Sequence, residues 1–270
     1  MGNILLIIIR LSIFETFCVT GLLILIGLIL GLLESRANFY ILKTFGLKGI
    51  LATACIGTPV HETGHLLMCL LFRHKINEFR LLDLKSRNGI LGYVKHSWDI
   101  QSPYQNVGNF FIGMGPIFSG TAVLVLGMYF LLPSAFENFG NYLTLDPARP
   151  DFVLLGKMFK LTWELLGSIF SMGNLARLNF WLYFVLAISV SSHMALSKAD
   201  LKGSAMGLVT IFFLILLANV TALIFKTDIS GFFNGVLTLN VYLLAFSTVS
   251  ISFSFLRLGL SFSAYVLVNR

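Results

Sequence analysis

The chain has 270 residues, 57% of them hydrophobic and only 11% charged, with a mean hydropathy of +0.87. Soluble domains carry about twice that share of charge, and windows of about 20 apolar residues, the length that spans a bilayer, recur along the chain; both features argue against a soluble protein. The net charge of +7 lies in loops between apolar stretches, which fits membrane topology and anionic headgroups better than nucleic acid.

The pattern predicts an all-α polytopic membrane protein with about six transmembrane helices, organised as a single domain over residues 1–270. No long polar segment offers a second soluble domain, and no internal repeat is visible. The first span is expected over 15–33, ended by Glu34-Ser35-Arg36, with a connector over 37–47 carrying Phe39, Tyr40 and Lys43. The apolar run as a whole, from Leu5 to Leu33 with Arg10 and Glu15 within it, is too long for a signal-peptide core and reads as a retained helix; Leu6 stands where myristoylation needs Ser or Thr. The second span covers 48–72, with Pro59 expected to loosen it.

Residues 73–106 form the longest stretch without helical pattern. Two strand-like runs, 77–84 and 90–96, flank Lys85-Ser86-Arg87-Asn88-Gly89, and Asn-Gly is a strong turn signal. A β-hairpin is expected there. Its basic residues, Arg73 to Lys95, favour the cytoplasmic side.

The third span runs over 108–132 and opens with Gly113-Met114-Gly115-Pro116-Ile117-Phe118-Ser119-Gly120. Small residues at this density allow close helix packing, or else line a substrate channel. A connector through Asp146 and Pro150 leads to a helix over 151–172, capped by Asp151. Lys157, Lys160 and Glu164 put one polar stripe on it, as an interfacial helix would have. Further spans are expected over 178–196, 204–225 and 232–255, with a helical tail beyond Arg257.

Within the second span lies His61-Glu62-Thr63-Gly64-His65. Alone, H-E-x-x-H arises often by chance. At bilayer depth each charged group costs roughly 2.5–3.5 kcal/mol on insertion scales, so function is the default reading of such residues. On a helix, His61 and His65 stack at i and i+4 and converge on one metal ion. Glu62, rotated to the side, reaches a metal-activated water as general base. Gly64 leaves room beside the metal for a substrate or another helix.

A catalytic zinc site needs a third protein ligand and an open position. His74 and His96 lie in or near the polar hairpin. Cys69, one turn beyond His65, reads as a small buried hydrophobe. His193 and Asp200 flank the junction of two spans and are the better candidates, with Asp200 favoured. Asp200 also suits a helix cap, or a pair with Lys198 or Lys202.

With these residues in place, the chain resembles the site-2 protease family of intramembrane zinc metalloproteases. HETGH matches the family's H-E-x-G-H form, and the hairpin, the Gly-Met-Gly-Pro-Ile-Phe-Ser-Gly helix and Ser197-Lys198-Ala199-Asp200 follow in the order of its shorter bacterial members. The resemblance covers residues 58–207, and only HETGH is specific within it. It implies a multi-pass protein of the bacterial cell membrane with Zn2+ held by His61, His65 and Asp200, and Glu62 as catalytic base. Its substrate would be a membrane-anchored peptide or protein, held by strand addition along residues 90–96. The chain departs from the family's main pattern in lacking Asn-Pro-x-Pro-x-Leu-Asp-Gly and a peptide-binding insertion domain. A non-catalytic zinc-binding membrane chaperone or partner subunit is the alternative. A transporter is disfavoured, because no paired broken helices occur at matching positions in two halves.

Overall fold

A computed structural model of the protein describes residues 2–84, 90–141 and 152–268. The expected Asn88-Gly89 turn, the connector through Asp146 and Pro150, and the Asp151 cap lie outside the described residues.

The architecture is that of an all-α membrane protein with one small sheet. Helix α1 (Gly2–Phe45) is followed by α2 (Leu47–Leu71), β1 (Lys75–Arg80), β2 (Tyr93–Ser97), α3 (Pro103–Gly113) and α4 (Gly115–Leu131). Then come α5 (Pro133–Gly140), α6 (Phe152–Ile169), the single turn α7 (Met172–Leu175), α8 (Leu178–Ser191), α9 (Lys198–Phe225) and α10 (Ser230–Val268). By length and composition α1, α9 and α10 can each cross a membrane; α3 and α4, bent by 55° at Met114, add a fourth if they count as one span. The bend falls between Gly113 and Gly115, where Pro116 removes a backbone donor from the first turn of α4.

Helix α1 differs from the expected span. It continues through Glu34-Ser35-Arg36 to Phe45 and stops where Gly46 adopts φ +63°. Charge ends a membrane crossing but does not break a helix. Asn38 Nδ2 donates to Glu34 Oε1 at 3.2 Å one turn back, and Arg257 of α10 donates to Asn38 Oδ1 at 2.7 Å. Likewise α2 continues through Pro59, and α10 continues through Phe255 and Arg257.

Polarity along α1 is reversed relative to a soluble core. Phe14, Phe17, Leu25 and Leu32 are exposed, whereas Ser12, Glu15, Thr16 and Thr20 are buried. Ser12, Thr16 and Thr20 each donate to the carbonyl four residues earlier. Asn219 of α9 donates to both Ser12 Oγ and Glu15 Oε2, at 3.0 and 2.5 Å, which fastens the two helices. Lipid cannot satisfy such groups, so the protein satisfies them internally.

Helix α2 packs against α1, α3, α4 and α8. It is not among the helices apolar enough to span by composition; its polar motif is enclosed by its neighbours. Gly64 of α2 and Gly115 of α4 touch backbone to backbone. A Cβ on Gly64 would strike the Gly115 carbonyl, and one on Gly115 would lie 2.6 Å from the Gly64 carbonyl. Ser119 Oγ reinforces this crossing by donating to the Val60 carbonyl at 2.8 Å.

The hairpin strands pair antiparallel, with Ile76 opposite His96, Glu78 opposite Lys95 and a bulge between Ile76 and Glu78. The first strand ends at Arg80, short of the expected Leu84, and the second begins at Tyr93. Lys95 Nζ lies 2.8 Å from Glu78 Oε2, and Tyr93 also donates to Glu78.

Candidate metal centre

His61 and His65 stand one turn apart on α2, and their Nε2 atoms are 3.1 Å from each other. Asp200, in the first turn of α9, brings its carboxylate to 3.8 Å from His61 Nε2 and 3.3 Å from His65 Nε2. The three ligand atoms lie within 4.8 Å of one another, and among the described residues this is the group able to hold a metal ion.

The outer contacts fix the proton positions. His61 Nδ1 donates to the His193 carbonyl at 2.5 Å, and His65 Nδ1 donates to the Ile112 carbonyl at 2.7 Å. A carbonyl can only accept, so each neutral ring carries its proton on Nδ1. Both Nε2 lone pairs then face each other and a carboxylate, with no proton between them. Three acceptors converging on one point fit a cation. Backbone carbonyls on the far nitrogens are also how metal-binding histidines are commonly oriented.

Asp200 reaches this position through local helix chemistry. Ser197 caps α9: its Oγ accepts from Asp200 N at 3.1 Å, while Asp200 Oδ2 accepts from Ser197 N at 2.7 Å. This capping box starts α9 at Lys198 rather than Ser204, and the positive end of the helix favours an anion there. Cap and approach to the histidines are served by the same side chain. A Cβ on Gly113 would collide with Ser204 Oγ and lie 2.6 Å from the Asp200 carbonyl, so the end of α3 sits directly on this turn.

His193 enters by its backbone. Its ring turns to Thr53, with Nε2 3.1 Å from Oγ1, while its carbonyl orients His61. Cys69 is buried outside the group. His74 donates from Nε2 to the Gln105 carbonyl at 2.9 Å, and its Nδ1 lies 3.0 Å from His96 Nδ1. Burial, and then the neighbouring His74 and His65, bring His96 down to about 4 from 6.5.

Glu62 is 7% exposed and lines two cavities. One, of about 640 Å³, opens between β2, α3 and the start of α9; the other, of about 450 Å³, opens between α1, residues 90–92 and residues 193–197. Gly92 passes over the carboxylate so closely that a Cβ there would lie 2.7 Å from Glu62 Cγ.

Comparison with protein-family models, curated proteins and solved structures returns no match. The residues themselves therefore carry the reading. Sequence reasoning missed the Ile112 and His193 carbonyls, and Asn109, which lines the same cavity as His61, Glu62, His65 and Asp200. The Ser-x-x-Asp capping box was the one signal able to place Asp200 on the first turn of a helix.

Proposed function

We propose that this chain is an intramembrane zinc metalloprotease, similar to the site-2 protease family, which hydrolyses peptide bonds of membrane-anchored substrates. The observation that carries this reading is the convergence of His61, His65 and Asp200 on one point beside the carboxylate of Glu62. Two imidazoles and one carboxylate make a three-ligand set, which leaves a position open, as catalytic zinc sites do.

His61, His65 and Asp200 would hold the zinc, which would supply Lewis acidity and acidify a water to near neutral pH. Glu62 Oε takes a proton from the attacking water and passes it to the leaving amine nitrogen as the C–N bond breaks. The Nδ1–H bonds of His61 and His65 hold both rings in register, and Ser197 holds the Asp200 carboxylate. The substrate segment lies extended along the outer edge of β2, which borders the larger cavity through Tyr93, Val94 and His96. The two cavities meeting at Glu62 give the chain on either side of the scissile bond a place to lie.

In this reading the protein crosses the bacterial cell membrane six times, through α1, α2, α3–α4, α8, α9 and α10.

The test is Glu62→Gln in the full chain. It is expected to retain one zinc per chain and to lose cleavage of a membrane-anchored substrate. Full activity in that variant overturns the mechanism.

A further inference from the structure

Asn109 lies on α3, 4% exposed, and its Nδ2 has no hydrogen-bond partner among the described residues. Buried amide groups are almost always paired. This one lines the same 640 Å³ cavity as His61, Glu62, His65 and Asp200. It stands three residues before Ile112 on one face of α3, so it is a single turn from the carbonyl that orients His65. Tyr93, Val94 and His96 of β2 line the same cavity. The side chain borders the cavity while its N–H2 group lacks an acceptor, and an acceptor is what it calls for.

An extended polypeptide supplies one. In a strand, successive main-chain carbonyls point to opposite sides. A segment lying along β2 turns one set of carbonyls towards β2 and the other away from it, towards α3. An Asn amide is neutral, so it recognises a carbonyl without regard to the side chain beside it.

We propose that Asn109 is a substrate-anchoring residue: its side-chain amide donates a hydrogen bond to one main-chain carbonyl of an extended polypeptide held between β2 and α3. The proposal rests on the peptidase reading and deepens it. It assigns the recognised feature to the backbone of the substrate, so selectivity follows from a segment's ability to unwind and extend.

The experiment uses the zinc-loaded full chain in lipid nanodiscs. The probes are an apolar peptide ending in a hydroxamate and its analogues, each with one C=O reduced to CH2. Dissociation constants are read by fluorescence anisotropy for wild type and Asn109→Leu, with zinc content measured on both. In wild type, one analogue is expected to bind roughly tenfold more weakly than the parent peptide. Asn109→Leu should bind the parent about tenfold more weakly and be indifferent to that one replacement, while still responding to the others. A merely structural role would weaken all the probes alike. Asn109→Leu binding the parent as tightly as wild type, or the two losses adding rather than merging, overturns the proposal and leaves the peptidase reading standing. Wild type binding no hydroxamate peptide overturns both. Should Asn109→Leu lose its zinc, Asn109→Asp, which keeps the shape and removes the donor, is read by the same criteria.

Discussion

His61 and His65 point bare Nε2 lone pairs at each other across 3.1 Å, because both rings spend their proton on a backbone carbonyl. Without a cation, two acceptors and the Asp200 carboxylate repel one another at this distance.

Metal content should therefore follow the ligand set. His65→Ala and Asp200→Ala are expected to lower zinc affinity by well over tenfold, read by competition with a fluorescent chelator. Asp200→Asn separates the two duties of that residue. It keeps an acceptor for Ser197 N but loses the anion, so zinc binding falls while the metal-free helix cap survives. Asp200→Ala loses both, and the metal-free protein should melt lower by the equivalent of about 1 kcal/mol more than Asp200→Asn.

Gly64→Ala tests the helix crossing under the motif. The added Cβ meets the Gly115 carbonyl and Ser119 Oγ, and a backbone group cannot swing away as a flexible side chain can. The expected cost is about 1–3 kcal/mol. The melting temperature in detergent should fall, and zinc should be lost with it, because His65 is the next residue.

Gly92→Ala tests the placement of Glu62. Its Cβ would press on Glu62 Cγ and on Thr58 Cγ2, at 2.7 and 2.9 Å, while leaving the three ligand-type side chains untouched. Cleavage should fall at least tenfold with zinc content unchanged, the converse of Gly64→Ala. Loss of zinc in Gly92→Ala would count against this arrangement.

The hairpin should respond to acid through His96. Its folded value, about 4, lies below the ordinary 6.5 because burial disfavours the charged ring. The unfolded segment therefore takes up a proton first. The contribution of neutral His96 is full above about pH 6.5 and is lost as pH falls towards 4. Hydrogen-exchange protection of the β1 and β2 amides is expected to drop between pH 7.5 and 4.5, and His96→Phe should flatten that drop.

The sequence made the local parts of the candidate site legible and left the distant ones open. The i, i+4 spacing of His61 and His65 is a property of one helix, so it can be read directly. Placing Asp200 needed the position of a helix start, and the Ser197–Asp200 capping box begins α9 at Lys198, with the carboxylate near both histidines. His193 was noticed for its imidazole, yet it is its carbonyl that reaches His61. No local pattern marks Asn109, whose situation depends on α9 packing against α3 and on the cavity that it shares with β2. The limits of the membrane helices were blurred for another reason. Glu34 and Arg36 mark where apolar character stops, but their side chains are compatible with helix, and hydrogen bonds across Asn38 carry α1 onward.

Helix α2 is too polar to count as a span by composition and is wrapped by α1, α3, α4 and α8. Such a segment partitions weakly into lipid during synthesis and waits on later helices for shelter. The two imidazoles leave the ribosome well ahead of Asp200, which arrives only with α9. A half-made chain therefore lacks the carboxylate that completes the His61, His65 and Asp200 group.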